Sequence, residues 1–154
     1  MLQLGYRSLP LIRFSQLVVV DFEYASPNPA SFDIANHFHE WTANYHSAVP
    51  HLLDPALYPN SEERRNFYTA YLGHADTTGE NASLDEGDRN LQLGALDKQV
   101  CFWSPASHAM WGIWGVVQAR ENIEENIQQP EFDYIGYAIG RLSAFRNEIR
   151  ALGI

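Results

Sequence analysis

The stretch Leu17–Pro29, LVVVDFEYASPNP, runs four apolar residues into Asp21, Phe22 and Glu23, then into a turn rich in Pro, Asn and Ser. Three of the four are β-branched, and a short run of this kind bounded by turn residues predicts a strand over Leu17–Phe22. Successive apolar residues are the pattern of a strand covered on both faces. Side chains alternate along a strand, so Asp21 and Glu23 share one side, about 7 Å apart at Cα, while Phe22 faces the other. Two carboxylates there have two readings. They close the strand at its solvent edge, or they are hard oxygen ligands for a metal–nucleotide, since Mg²⁺ takes one or two carboxylates with water and phosphates. The strand also poses a folding problem, because a lone buried strand leaves its N–H and C=O groups unpaired. Leu9–Phe14 is one candidate neighbour, and the rest of the sheet is expected upstream.

Beyond Pro29 the pattern is helical. Ser31 is the expected cap of a helix from Phe32 through DIANHFHEWTANYH, and Pro50 and Pro55 mark the loop after it. Ser61–Leu72 reads as a second helix with Glu62 and Glu63 at its positive end. Gly73–Asp88 is polar and acidic and reads as a loop, with a helix resuming before Leu91. Ser104-Pro105 is a start signal for a further long helix, and Pro130 separates that from a last one at about Asp133–Leu152. The expectation is an α+β, mostly α chain: one strand or hairpin and about five helices, with no internal repeat.

The 154 residues suit one domain, 1–154, whose first 16 residues are atypical of the rest. Ten basic against 19 acidic residues give a charge of −9, which argues against nucleic acid and suits a small cation or a divalent metal. Cys101 is the only cysteine and is expected as a small buried residue. It permits no internal disulfide, and a reducing, cytoplasmic setting follows. There is no apolar run near 18 residues, so no membrane span is expected. His37, His39, Glu40 and His46 suggest zinc, but helical residues two apart point about 200° from each other, which sets His37 and His39 against it. Trp111 and Trp114, three apart, share a helix face, and Phe132, Tyr134 and Tyr137 follow Pro130. Such rings are either plain core or faces for a methylated ammonium, each face contributing roughly 0.5–2 kcal/mol.

VVVDFEYASPNPASFDIANHFHEW resembles the choline/ethanolamine kinase family, particularly its fungal choline kinases. ASHAMWGIWGVVQA and FDYIGYAIGRLSAF resemble that family's C-terminal helices in the same order, so the likeness runs from about Leu17 to the end. It implies the C-terminal portion of a protein-kinase-like C-lobe. It implies phosphorylation of choline or ethanolamine with MgATP, the first step towards phosphatidylcholine or phosphatidylethanolamine. Asp21 falls at the metal-binding Asp, with Glu23 as a weaker second, and Asp33 at a structural Asp bracing the catalytic loop. Glu40 and Tyr45 fall near the choline end of the site. Tyr24, Trp111, Trp114, Phe132, Tyr134 and Tyr137 fall at its aromatic positions. The aromatic wealth leans to choline over ethanolamine. An aminoglycoside-type phosphotransferase shares the fold and the Asp motif, but the Trp-x-x-Trp pair argues against it.

The family's catalytic loop, of the HNDxxxxN kind, should stand about two dozen residues before DFE. These 154 residues contain no His-Asn-Asp and no Asp before Asp21, so they supply no catalytic base. The nucleotide-binding lobe has no counterpart either. The chain alone is expected to be inactive. The alternative is a choline-binding module that docks as a homodimer or on a full-length paralogue.

Overall fold

A computed structural model of the chain describes residues 23–75, 84–127 and 130–154. The expected strand Leu17–Phe22, the segment 1–16 and Asp21 lie outside them. The described residues are mostly helical: α1 (Ala30–Glu40), a 3₁₀ turn (Pro55–Leu57), α2 (Ser61–Ala75), α3 (Glu86–Glu124) and α4 (Tyr134–Leu152). Among them β pairing is confined to an isolated antiparallel bridge between Ala43 and Leu53. None of these helices is long and apolar enough to cross a membrane.

α1 begins earlier and ends earlier than its sequence suggests. Pro29 stands at the N-cap, and its carbonyl accepts from Phe32 and Asp33 at 2.9 and 3.3 Å. Ser31 is therefore no cap: its hydroxyl donates to Gln99 Oε1 on α3 at 3.1 Å. Asp33 stands exposed in the first turn, where a carboxylate suits the helix dipole. The helix stops at Glu40 because Thr42 folds back on it. Thr42 donates to the His39 carbonyl through both its N–H, at 3.0 Å, and its hydroxyl, at 2.6 Å. Asp54 N–H then donates to the Thr42 carbonyl at 2.8 Å, closing the loop that carries Tyr45.

α2 starts on a reciprocal cap. Asn60 Oδ1 accepts from the N–H groups of Glu62 and Glu63 at 2.9 and 3.1 Å, and Glu63 accepts from Asn60 N–H at 2.8 Å. Asp85 likewise accepts from Asp88 N–H at 2.8 Å, which draws Glu86–Asp88 out of the expected loop and into α3.

α3 corrects the largest expectation. It is one helix of 39 residues, about 58 Å long at 1.5 Å per residue, and Ser104-Pro105 lies inside it. Two expected elements merge, so the described chain has four α-helices where about five were expected. Ser104 does not cap, because its hydroxyl is engaged by His39 and Glu148. An interior proline costs about 3 kcal/mol. Packing of α3 against α1, α2 and α4 offsets this. The unbroken helix turns Val100, Ser104, Ser107 and His108 inward, and Cys101 is exposed, where a buried residue was expected.

α4 matches its expected span. Asp133 caps it by accepting from Gly136 N–H at 2.7 Å, and Gly153, at φ 76°, ends it in the left-handed conformation.

Ile34, Ala35 and Phe38 of α1 meet Tyr68, Leu93 and Val100 in the core. Arg64 on α2 clasps Asp97 on α3 at 2.8 and 3.4 Å, and Tyr68 Oη donates to the same carboxylate at 2.9 Å. Two glycines set the approach of α4 to α3. A Cβ at Gly112 would lie 2.9 Å from the Leu142 side chain, and one at Gly115 would lie 3.0 Å from the Tyr137 ring and 3.1 Å from the Tyr134 carbonyl. Only glycine lets the helices come this close, which brings the tyrosines of α4 against the tryptophans of α3.

Candidate functional site

Trp111 and Trp114 project from one face of α3, with ring centroids 5.4 Å apart and planes at 76°. Trp114 stands edge-on to Tyr134 at 5.6 Å and to Tyr137 at 6.0 Å. Phe132, just before α4, lies 5.0 Å from Tyr134 and 5.8 Å from Tyr137. These five rings surround a cavity of about 240 Å³. Glu40, from the end of α1, and Tyr45, from the loop after it, form another part of the lining. Tyr24 sits beside it: its ring lies 6.0 Å from Trp111, and its hydroxyl accepts from Trp114 Nε1 at 2.9 Å. All eight residues expected near a substrate are thus gathered in one place, seven of them lining the cavity and Tyr24 against its tryptophans.

The rings meet mostly edge to face, the arrangement that their quadrupoles favour. Such a set presents electron-rich faces to a cation. Glu40 adds a carboxylate. Burial, then the hydrogen bond from its hydroxyl to Glu40, pushes Tyr45 well above the ordinary phenol range, so it stays a donor. Burial also raises Tyr137.

Sequence reasoning missed two further residues, one that holds a ring of the cavity and one that lines it. Asn36 Oδ1 accepts from both Trp111 Nε1 and Ser107 Oγ, and so fixes the Trp111 ring. Arg141 lines the cavity and is buried, with Nε donating to Tyr137 Oη at 3.1 Å and its guanidinium carbon 5.3 Å from that ring's centroid. The four-residue spacing of Tyr137 and Arg141 on a helix was a visible signal for that pair.

Beyond Arg141 lies a polar cluster that also faces a second cavity of about 450 Å³. His39 Nε2 is 2.8 Å from Ser104 Oγ, which donates towards the Glu148 carboxylate, 2.8 and 3.0 Å away. His108 Nε2 lies 3.6 Å from Glu148 Oε1. Burial, then the neighbouring His108 and Arg141, pushes His39 down to about 3, so it is neutral. Burial works against ionisation of Glu148, but hydrogen bonds from His108 and Ser104 outweigh it and hold the carboxyl below its ordinary range.

Ligand atoms of His39, His108 and Glu148 come within 4.8 Å of one another, a donor set of the zinc kind. The neighbouring cation speaks against a metal. Arg141 Nη1 donates to His108 Nδ1 at 3.1 Å, so the ring proton sits on Nε2, the atom that faces Glu148. Metal-bound histidines have the opposite arrangement and donate their outer N–H. The cluster is a hydrogen-bond network. The sequence pattern His37, His39, Glu40, His46 does not converge either: His39 is buried against Ser104, while His37 stacks on Phe67 and accepts from Trp41 Nε1. Of the two carboxylates expected to hold magnesium, the described residues include Glu23 alone, and it is exposed.

A choline/ethanolamine kinase family model matches residues 11–146. Probable choline kinase 1 of Arabidopsis thaliana is 41% identical over 129 residues, covering 84% of this chain and 33% of the relative. Choline kinase of Schizosaccharomyces pombe is 33% identical over 96% of this chain and 41% of its own length. Human choline/ethanolamine kinase is 37% identical over 84% of this chain and 31% of its own. The chain spans about a third of the length of these relatives. A match over most of its residues makes this chain a member of the choline/ethanolamine kinase family.

Proposed function

We propose that the aromatic cavity binds the ammonium end of choline, and that residues 1–154 supply the amino-alcohol pocket of a kinase C-lobe. In the reaction so assigned, the γ-phosphoryl group of ATP passes to the amino-alcohol hydroxyl, with magnesium held by Asp21 and, more weakly, Glu23. One observation carries the reading: five rings and Glu40 converge on one cavity from three separate parts of the chain. A quaternary ammonium has no N–H to donate and is held by ring faces and carboxylates, which is what this lining offers. Asp33 remains a structural brace. A cytoplasmic setting suits the chain's single cysteine and unbridged fold.

Calorimetric titration with choline tests the cavity. Removing one good face by Trp114→Ala should weaken binding about tenfold, equivalent to about 1.4 kcal/mol. A wild-type chain that binds no choline, or a variant that binds equally well, refutes the reading. These 154 residues carry no HNDxxxxN loop, so purified chain should show no choline-dependent ATP turnover in a coupled assay. Turnover that Asp21→Ala abolishes would contradict that.

A second reading, docking on a full-length family member, draws on the outer face of α3. Phe102, Met110, Ile113, Val116, Val117 and Ile123 are exposed there within an arc of about 140°. Light scattering of the chain mixed with a full-length choline kinase tests it; two unassociated species dismiss it.

A further inference from the structure

Among the described residues Arg141 is the only cation lining the cavity, and its charge has the wrong sign to attract an ammonium. Its position is tightly specified. The side chain is 3% exposed, Nε donates to Tyr137 Oη, and Nη1 donates to His108 Nδ1, each at 3.1 Å. A guanidinium has donors and no acceptor, so His108 Nδ1 must present its lone pair and carry its proton on Nε2. That nitrogen lies 3.6 Å from Glu148 Oε1, a charge contact longer than a hydrogen bond, and the carboxylate favours a proton on the side facing it. Ser104 Oγ, within 3.0 Å of both carboxylate oxygens, holds Glu148 in place. The row Glu148–His108–Arg141–Tyr137 is thus ordered end to end by donor and acceptor type. Glu148 supplies a counter-charge on the side away from the cavity.

The row ends on a group that a ligand would use. A primary ammonium brings three N–H donors that need acceptors, whereas a quaternary ammonium brings none. Tyr137 lines the cavity, and its hydroxyl oxygen already accepts from Arg141 Nε at 3.1 Å, which makes it a poorer acceptor for a ligand. What Tyr137 offers the cavity is chiefly its ring.

We propose that Arg141, held by His108 and Glu148, is a specificity-positioning residue: by occupying the Tyr137 hydroxyl it sets the cage to prefer a quaternary over a primary ammonium. This rests on the reading of the cavity as an ammonium site.

The test is the ratio of choline to ethanolamine affinity, by calorimetry on the intact chain. Both ligands are monocations, so the ratio cancels the general effect of changing a nearby charge. Glu148→Gln, whose amide can donate as well as accept, releases the His108 tautomer without touching the cavity lining. Arg141→Met removes the donor itself. Each should lower the ratio about fivefold, the worth of one recovered hydrogen bond. Adding Tyr137→Phe to either variant removes the freed acceptor and should restore the ratio, which a merely structural role for Arg141 would not produce. If Arg141→Met does not fold by circular dichroism, Glu148→Gln with and without Tyr137→Phe decides. An unchanged ratio, or one that Tyr137→Phe fails to restore, overturns the inference while leaving the cavity reading standing. A wild-type chain that binds neither amine overturns both.

Discussion

The closeness of α3 and α4 makes Gly115→Ala an informative substitution. The added methyl would lie 3.0 Å from the Tyr137 ring, 3.1 Å from the Tyr134 carbonyl and 3.2 Å from Ala138 Cβ. Ordinary carbon contacts are about 3.5–4.0 Å. The methyl therefore forces a shift of roughly 0.5 Å, and the backbone carbonyl cannot turn aside as a flexible side chain would, so α4 itself must move. Overpacking of this kind costs about 1–3 kcal/mol. Alanine's better helix propensity returns about 1 kcal/mol. The net expectation is a loss of about 0–2 kcal/mol, with the tyrosines pushed off the tryptophans. Gly94→Ala is the control: it lies in the same helix with nothing within 4 Å of its added methyl, and should stabilise by about 0.4–1 kcal/mol. Urea unfolding of both variants, with choline calorimetry, gives opposite signs of stability and weakened binding for Gly115→Ala alone. If Gly115→Ala stabilises as Gly94→Ala does and binds choline normally, the close approach of the helices is wrong.

Two other outcomes follow from the structure. Asn36→Ala leaves the Trp111 indole N–H and the Ser107 hydroxyl without their common acceptor, so thermal unfolding should show a loss of about 1–3 kcal/mol and choline affinity should fall with it. The Arg64 guanidinium, outweighing burial and helped by Tyr68, holds the Asp97 carboxyl below its ordinary range. A depressed folded pKa gives stability that is present above the unfolded value, about 3.9, and lost as pH falls through the folded one. The stability gap between wild type and Asp97→Asn should therefore be widest near neutrality and narrow below about pH 4; a gap independent of pH would contradict the pairing.

Local signals in the sequence located the elements whose ends are made locally. The start of α4 near Asp133, the acidic start of α2 and the three-residue spacing of the tryptophans depend on neighbours within a turn, and they stand where expected. The likeness to the kinase family located Glu40 and Tyr45, which spacing alone does not link to the rings. Misreadings arose where distant groups decide. Ser31 and Ser104 look like caps, yet Gln99 takes one, and His39 with Glu148 takes the other. Pro105 looks like a boundary, but packing on three sides keeps the helix whole. Asn36 reaches Ser107 across 71 residues of sequence and His39 reaches Ser104 across 65, separations at which no periodicity carries information. Arg141 was the partial exception, with Tyr137 four residues before it on the same helix.

Magnetisation transfer in solution, from the aromatic protons of the chain to the N-methyl protons of choline, tests the cavity most directly. The account predicts strong transfer from Trp111, Trp114 and Tyr134, reduced in Trp114→Ala at the same choline concentration. Transfer that this substitution leaves undiminished, or that comes from aromatic side chains remote from this cavity such as Phe67 and Tyr71, would contradict it.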